Sequence, residues 1–161
     1  MSLKDWQDNG WLKPHKTDKG EISSLLAVVE RDLKDANISG LSPDWQFGIA
    51  YNAALKLCTI VLYTQGYRTE NTLAHYRSIM ALKEISTNQW REYAVYLNAC
   101  RMRRNSLEYD RVDAVSANDA MQLIAFTTSF LSEVREYLAK HFPQYVSFSD
   151  EGPPATNVTR G

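Results

Sequence analysis

The chain has 161 residues, of which 44% are hydrophobic and 23% are charged, and its formal net charge at pH 7 is −1. This length predicts a single domain with one core, and the composition excludes a disordered, fibrous or disulfide-dense class of protein. Because the net charge is close to zero, any contact with a nucleic acid must come from a local cationic patch.

Residues 1–19 are predicted to form an N-terminal arm or short helix that lies over the rest of the domain. The segment contains Trp6, Trp11 and Pro14, and its first ten residues carry charges where a secretion signal would have an apolar run. No window of about 18 residues is apolar throughout, which is the length that a membrane span needs. We therefore expect a cytoplasmic protein that does not contact a membrane.

Apolar residues recur at intervals of three and four along the chain, and no segment shows the sustained alternation of a half-buried strand. The first long helix is predicted from about Glu21 to Ala36. The second begins at Ser42, Pro43 and Asp44, because serine can cap a helix and proline suits its first position. It runs to about Gln65 and is apolar around most of its circumference, which predicts a buried central helix.

Three further helices are predicted at about 72–86, 88–108 and 116–140, the last with Ser116 and Asp119 in a capping box. Short connections imply antiparallel neighbours. The expected fold class is therefore all-α, an antiparallel up-and-down bundle of four to five helices over residues 20–141. Residues 142–161 have the glycine, proline and polar content of a flexible C-terminal tail.

The end of the fourth predicted helix is unusually cationic and reads RMRRNSLEYDR from residue 101 to 111. The apolar stripe of this helix passes through Trp90, Tyr93 or Ala94, Leu97 and Cys100. Its next step is Arg104, and burying a guanidinium is unfavourable unless it is paired or reaches solvent or a ligand. Arg104 either pairs with Glu108 at the end of the bundle, with Arg101 and Arg103 on the solvated flank, or contributes to a binding site.

Four short segments follow each other along the chain, AYNAALKL at 50–57, GYR at 66–68, AHY at 74–76 and RRNSLEYD at 103–110. Similar segments occur in the same order in bacterial HEPN proteins. Over roughly residues 21–112 the chain thus resembles the HEPN domain family, helical domains that are often linked to nucleotide-binding partners. The resemblance implies a homodimer and a nucleotidyltransferase as a possible partner. In active members, the resemblance implies, an Arg-polar-x-x-x-His motif forms a metal-independent ribonuclease site at the homodimer interface.

The resemblance places the catalytic arginine at Arg104 and the polar residue at Asn105, and Tyr109 stands where the family has histidine. A phenol is almost wholly protonated at neutral pH, so Tyr109 is a poor general base, and whether the protein is an enzyme stays open. Residues five apart on a continuous helix point about 140° away from each other. Either the helix unwinds between Arg104 and Tyr109, or a second subunit completes the site.

Arg101, Arg68 and His75 are further candidates for ligand binding, and the family often has a histidine at the position of His75. The cysteines, Cys58 and Cys100, lie in apolar helical stretches without the spacing of a zinc site, and we expect both in the core. We expect no cofactor and no metal, since the chain contains no phosphate-binding glycine loop and no metalloprotease motif.

Three functions are compatible with these residues. The first is a toxin–antitoxin or related defence component that cleaves RNA, with Arg104 stabilising the phosphate and Asn105 orienting it while the adjacent 2′-hydroxyl attacks. The second is a non-catalytic homodimeric HEPN module that binds a nucleotide or a partner protein such as a nucleotidyltransferase. The third is a helical scaffold that uses Trp45, Tyr51 and Tyr63 as interface residues.

Overall fold

The structure is a computed structural model that describes residues 1–71, 73–85, 88–109 and 115–146, without the side chains of residues 88 and 106–109. It confirms the all-α prediction, because long helices form an antiparallel bundle to which a two-stranded sheet adds little. In chain order the elements are α1 (Leu3–Asp8), β1 (Leu12–Pro14), α2 (Lys19–Ala36), α3 (Pro43–Thr64), β2 (Tyr67–Thr69), α4 (Ala74–Met80), α5 (Leu82–Ile85), α6 (Asn88–Tyr109), α7 (Ala117–His141) and a 3-10 turn at Pro143–Tyr145.

Helix α3 is the centre of the bundle, as its sequence predicts. It begins where Ser42 Oγ accepts a hydrogen bond from the Trp45 N–H at 3.3 Å, with Pro43 in the first turn. Helices α2 and α7 make the most extensive packing against it, and α4, α5 and α6 cover its remaining face. Among the described residues, α3 is the one helix long and apolar enough to cross a membrane, but 61% of its apolar window is buried in the bundle, as in the core helix of a soluble protein.

Two elements differ from the sequence prediction. Strands β1 and β2 form a small antiparallel sheet in which Lys13 lies opposite Arg68. Three-residue strands are too short for an alternating pattern to reveal them. The helix predicted at 72–86 is instead divided into α4 and α5 at Ala81, whose carbonyl accepts from the Glu84 N–H at 2.9 Å in the tighter i to i+3 pattern.

The break at Ala81 lets neighbouring residues pack in different clusters. Ala81 is buried with Trp6, Leu12 and Leu62 in a small cluster under the N-terminal arm, whereas Leu82 belongs to the main core. The arm is therefore packed against the bundle rather than lying loosely over it.

The C-terminal segment also begins packed. Phe142, Tyr145 and Val146 contact the main core, and the remainder of the predicted tail, 147–161, lies outside the described residues.

Helix α6, which carries the arginines, is joined to α7 by aromatic rings and one carboxylate. Trp90 packs edge-on against Phe130, with ring centroids 5.7 Å apart. Glu133 accepts hydrogen bonds from Trp90 Nε1 at 3.2 Å and from the Tyr93 hydroxyl at 2.5 Å. These contacts fix the orientation of α6 and so determine which of its side chains face inward.

Candidate functional site

The apolar stripe of α6 is observed as predicted. The side chains of this stripe are at most 5% exposed, and they are Trp90, Ala94, Leu97 and Cys100. Arg104 continues this stripe and is half-buried, whereas its neighbours Arg103 and Asn105 are exposed. The sequence prediction that an arginine occupies the core-facing side of the helix end is thus confirmed.

Arg104 lies across the first half of α3. Its guanidinium carbon is 5.9 Å from the ring centroid of Tyr51, within the range of a cation–π contact. Its Nε is 3.8 Å from the position that a β-carbon would take at Gly48. A methyl group at Gly48 would thus meet Arg104 at an ordinary van der Waals distance, which shows how closely the arginine lies against α3.

Tyr51 is the buried neighbour of this arginine and is only 1% exposed. Its hydroxyl has no hydrogen-bond partner among the described residues, although buried polar groups nearly always have one. Burial raises the pKa of Tyr51 above its ordinary value, and the nearby charges of Arg101 and Arg104 only partly oppose this. The phenol therefore stays protonated and can act as a hydrogen-bond donor.

The start of α4 adds a histidine and a second tyrosine. The exposed ring of His75 is 6.1 Å from the ring of Tyr51. The Arg101 guanidinium lies 5.3 Å from the ring centroid of Tyr76, and its Nε donates to Asn98 Oδ1 at 2.9 Å. We call the group formed by Arg101, Arg104, Tyr51, His75 and Tyr76 the arginine niche.

Two further arginines lie outside the arginine niche. Arg103 is on the flank of α6, as its position in the sequence predicts, and forms an ion pair with Asp119 at 2.7 Å. Arg68 is exposed on β2, near Tyr63 and beyond the C-terminal end of α3. From Tyr51 to the end of α3 the helix rises about 20 Å, so Arg68 does not contribute to the arginine niche.

Asn105 is exposed next to Arg104, and the side chains of Tyr109 and Glu108 lie outside the described residues. The backbone of α6 remains helical to Tyr109. The helix therefore does not unwind between positions 104 and 109, and these positions are about 140° apart around its axis. Unwinding of the helix is therefore not the way in which these two positions meet, and completion of the site by a second subunit stays a prediction.

The sequence analysis did not predict a second polar cluster at the far end of α3. Glu21 Oε1 accepts from Thr17 Oγ1 at 2.7 Å and is 2.8 Å from His15 Nε2, whose ring is 4.2 Å from the ring of Tyr63. Partial burial opposes ionisation of Glu21, yet the hydrogen bonds from Thr17 and His15 lower its pKa overall. No local signal could have revealed this cluster, because it forms only when the arm packs on α2 and α3.

Neither thiol has the properties of a nucleophile. Burial raises the pKa of Cys58 far above its ordinary value and that of Cys100 to about 11, so both stay protonated at neutral pH. Among the described residues, no group of three or more histidine, cysteine, aspartate or glutamate side chains is arranged to hold a metal ion.

No family model matches the chain, and neither a curated protein nor a solved structure shows significant similarity to it. The HEPN resemblance therefore stays a prediction from the quoted segments. What the arrangement can do chemically follows from the arginine niche itself. Two guanidinium groups and a protonated phenol supply hydrogen-bond donors and positive charge, a combination that suits a phosphate.

Proposed function

We propose that the protein is a HEPN-like helical module that binds RNA or a nucleotide through a phosphate at the arginine niche. The observation that carries the proposal is the half-buried guanidinium of Arg104 beside Arg101 and over the buried ring of Tyr51. A phosphate there would accept charge-assisted hydrogen bonds from the arginines. If the side chains around Tyr51 shift on binding, the phosphate would also provide an acceptor for its buried hydroxyl, which has none among the described groups.

The test is a titration of single-stranded RNA and of mononucleotides followed by fluorescence anisotropy and thermal shift. We expect Arg104→Ala to weaken binding about tenfold or more and to reduce the dependence of log Kd on log salt by about one. The affinity of Arg104→Lys should lie between those of the wild-type protein and Arg104→Ala, because an ammonium keeps the charge but not the planar donor geometry of a guanidinium.

Arg91→Ala is the matched control for this titration. Arg91 is exposed on the same helix, about 20 Å along the axis from Arg104. Equal weakening by Arg91→Ala and Arg104→Ala would mean that the charge of the helix, rather than the arginine niche, binds the ligand. No binding by the wild-type protein would refute the proposal.

A second candidate function is metal-independent cleavage of RNA, as part of a toxin–antitoxin or defence system. The observation that favours it is the exposed His75, which lies beside Tyr51 and supplies the imidazole that position 109 lacks. In this version His75 accepts the proton of the attacking 2′-hydroxyl while Arg104 stabilises the charge that develops on the phosphate. The bond from phosphorus to the 5′-oxygen of the next nucleotide breaks, that oxygen takes up a proton from water, and a 2′,3′-cyclic phosphate remains. Asn105 and Tyr109 act from a second copy in a homodimer.

RNA incubated with EDTA separates the two functions. Cleavage by the wild-type protein that is lost in both Arg104→Ala and His75→Ala supports the nuclease. In that case the mass of the protein in solution should be that of a dimer. Binding without cleavage supports the non-catalytic module, for which a nucleotidyltransferase is the partner that the resemblance implies. Cleavage that survives in Arg104→Ala would exclude the nuclease at this site.

A further inference from the structure

A groove adjoins the arginine niche on the side of the N-terminal arm. It lies between α1, the arm residue Trp11, α4 and α5, and encloses about 340 Å³. This volume is within the range of small-molecule sites in proteins. Tyr76 connects the two features, because its ring contacts the Arg101 guanidinium of the niche and also lines the groove.

The groove combines aromatic rings with cations. The guanidinium of Arg77 lies 4.8 Å from the ring centroid of Trp11, and Tyr76 is 37% exposed. Lys83 adds a second cation to the lining. Glu84 is the carboxylate among the lining residues, and one of its oxygens lies 4.0 Å from the N-terminal ammonium of Met1.

This composition indicates a planar ligand attached to a negative charge. A nucleobase stacks on aromatic rings and on guanidinium planes whatever its sequence, and the backbone that carries it is attracted by lysine and arginine. An acidic peptide would use the cations but would leave the aromatic rings without a matching planar group. The continuity of the groove with the arginine niche places base-binding and phosphate-binding groups side by side.

We propose that this groove binds an unpaired base of the same ligand whose phosphate lies at the arginine niche, with Tyr76 as the stacking residue. This inference rests on the proposed function and makes it more specific, because it names single-stranded RNA or a nucleotide with an accessible base as the ligand. Paired bases in a duplex are stacked on each other and do not enter such a groove.

The experiment compares single-stranded RNA with an abasic strand of equal length and phosphate number. The wild-type protein should bind the base-containing strand about tenfold more tightly, in line with the measured effect of stacking one base. Tyr76→Ala should reduce this preference to less than about twofold. Because Tyr76 also packs on Arg101, the readout is the ratio of the two affinities and not either affinity alone. Tyr76→Phe should retain the preference, because it keeps the ring.

Controls separate this inference from the proposed function. Val95→Ala, at an exposed apolar position in the middle of α6, should leave both affinities unchanged. Arg104→Ala should weaken the binding of both strands and preserve their ratio. If Arg104→Ala has that effect but the wild-type protein shows no preference for bases, or keeps the preference in Tyr76→Ala, the groove proposal is overturned and the phosphate site stands.

The tryptophans provide a second readout. Binding of the base-containing strand should quench the fluorescence of the wild-type protein, and Trp11→Phe, which retains Trp6, Trp45 and Trp90, should lose most of this quenching. Equal quenching by the abasic strand would contradict a base in the groove. Binding of an acidic peptide that competes with neither strand, together with no preference for bases, would assign the groove to a protein partner instead.

Discussion

At the scale of single residues, the arginine niche depends on Tyr51 as much as on Arg104. A buried hydroxyl without a hydrogen-bond partner is unfavourable by about 1–3 kcal/mol, and its retention in a core position calls for an explanation. Arg101 and Arg104 lie near this hydroxyl, and the proposed phosphate would supply the missing acceptor once it reaches the buried ring. The interpretation of Tyr51 as an interface residue is wrong, because its side chain is buried inside the domain.

Tyr51→Phe tests this role by separating stability from binding. We expect the free energy of unfolding to stay the same or to rise by up to about 1 kcal/mol, because the substitution removes a hydroxyl that lacks a partner. RNA or nucleotide binding should weaken about fivefold, because a hydrogen bond to the phosphate is lost. Urea unfolding and the anisotropy titration measure the two effects.

Tyr51→Ala is the comparison for packing, since it removes the ring and should lower the free energy of unfolding by about 3–5 kcal/mol. A loss of stability in Tyr51→Phe of more than about 1 kcal/mol would show that the hydroxyl already has a partner in the folded protein.

At the scale of elements, the orientation of α6 is held at both ends by α7. Near its start, Glu133 accepts from Trp90 and Tyr93, and near its end Asp119 is paired with Arg103. Asp119 also accepts from the Ser116 N–H at 3.0 Å in the capping box of α7. One carboxylate thus links the start of α7 to the segment that carries Arg104.

The pKa of Asp119 is lowered, first by hydrogen bonds from the backbone and side chain of Ser116 and then by Arg103. Because its folded pKa lies below the unfolded value near 4, its contribution to stability is present above that value and is lost as the pH falls through the folded pKa. We therefore expect Asp119→Asn to lower the Tm at pH 7, and the difference from the wild-type Tm to shrink as the pH falls below about 4.

Thermal melts monitored by circular dichroism between about pH 7 and pH 2.5 measure the difference in Tm between the wild-type protein and Asp119→Asn. Ser116→Ala is the control, because its hydroxyl accepts from the Asp119 N–H at 3.0 Å. It should lower stability by about 1 kcal/mol. A part of this effect should persist at low pH, because the hydrogen bond from the Asp119 N–H does not depend on the charge of its carboxylate. A difference between Asp119→Asn and the wild-type protein that does not change with pH would contradict an electrostatic role.

At the scale of the whole molecule, the N-terminal arm belongs to the folded domain. Trp6 is 7% exposed and Leu12 is 2% exposed, and both pack on Leu62 and Ala81 of the bundle. The His15 and Glu21 contact fastens the other end of the arm to α2. The groove exists only because the arm is held in this place, since Trp6 and Trp11 form one of its walls.

Trp6→Ala tests the contribution of the arm to the fold. We expect the free energy of unfolding to fall by about 3 kcal/mol, because a large buried ring is removed and a cavity remains. Trp45→Ala, at a tryptophan that is 68% exposed, should change it by less than about 0.5 kcal/mol. Equal urea midpoints for the two variants would mean that the arm is not part of the cooperative unit.

The HEPN assignment also belongs to this scale, since it concerns the order of segments along the chain. The all-α bundle that it implies is observed, but helical bundles form from many unrelated sequences, and the fold alone does not imply a function. The homodimer, the nucleotidyltransferase partner and the action on RNA stay predictions that the binding and cleavage experiments address.

The amino-acid sequence by itself determined the features that depend on near neighbours. The serine caps at Ser42 and Ser116 and the core-facing position of Arg104 were all predicted, because helix period and capping act within a few residues. The long helices follow from the same local rules.

Only the tertiary structure decided which distant residues meet. It paired Leu12 with Thr69 in the small sheet, placed His75 beside Tyr51, and left Arg68 at the other end of α3. It also brought Tyr76 between the arginine niche and the groove. These contacts depend on how whole helices pack and on the burial of groups far apart in the chain, which no local pattern encodes.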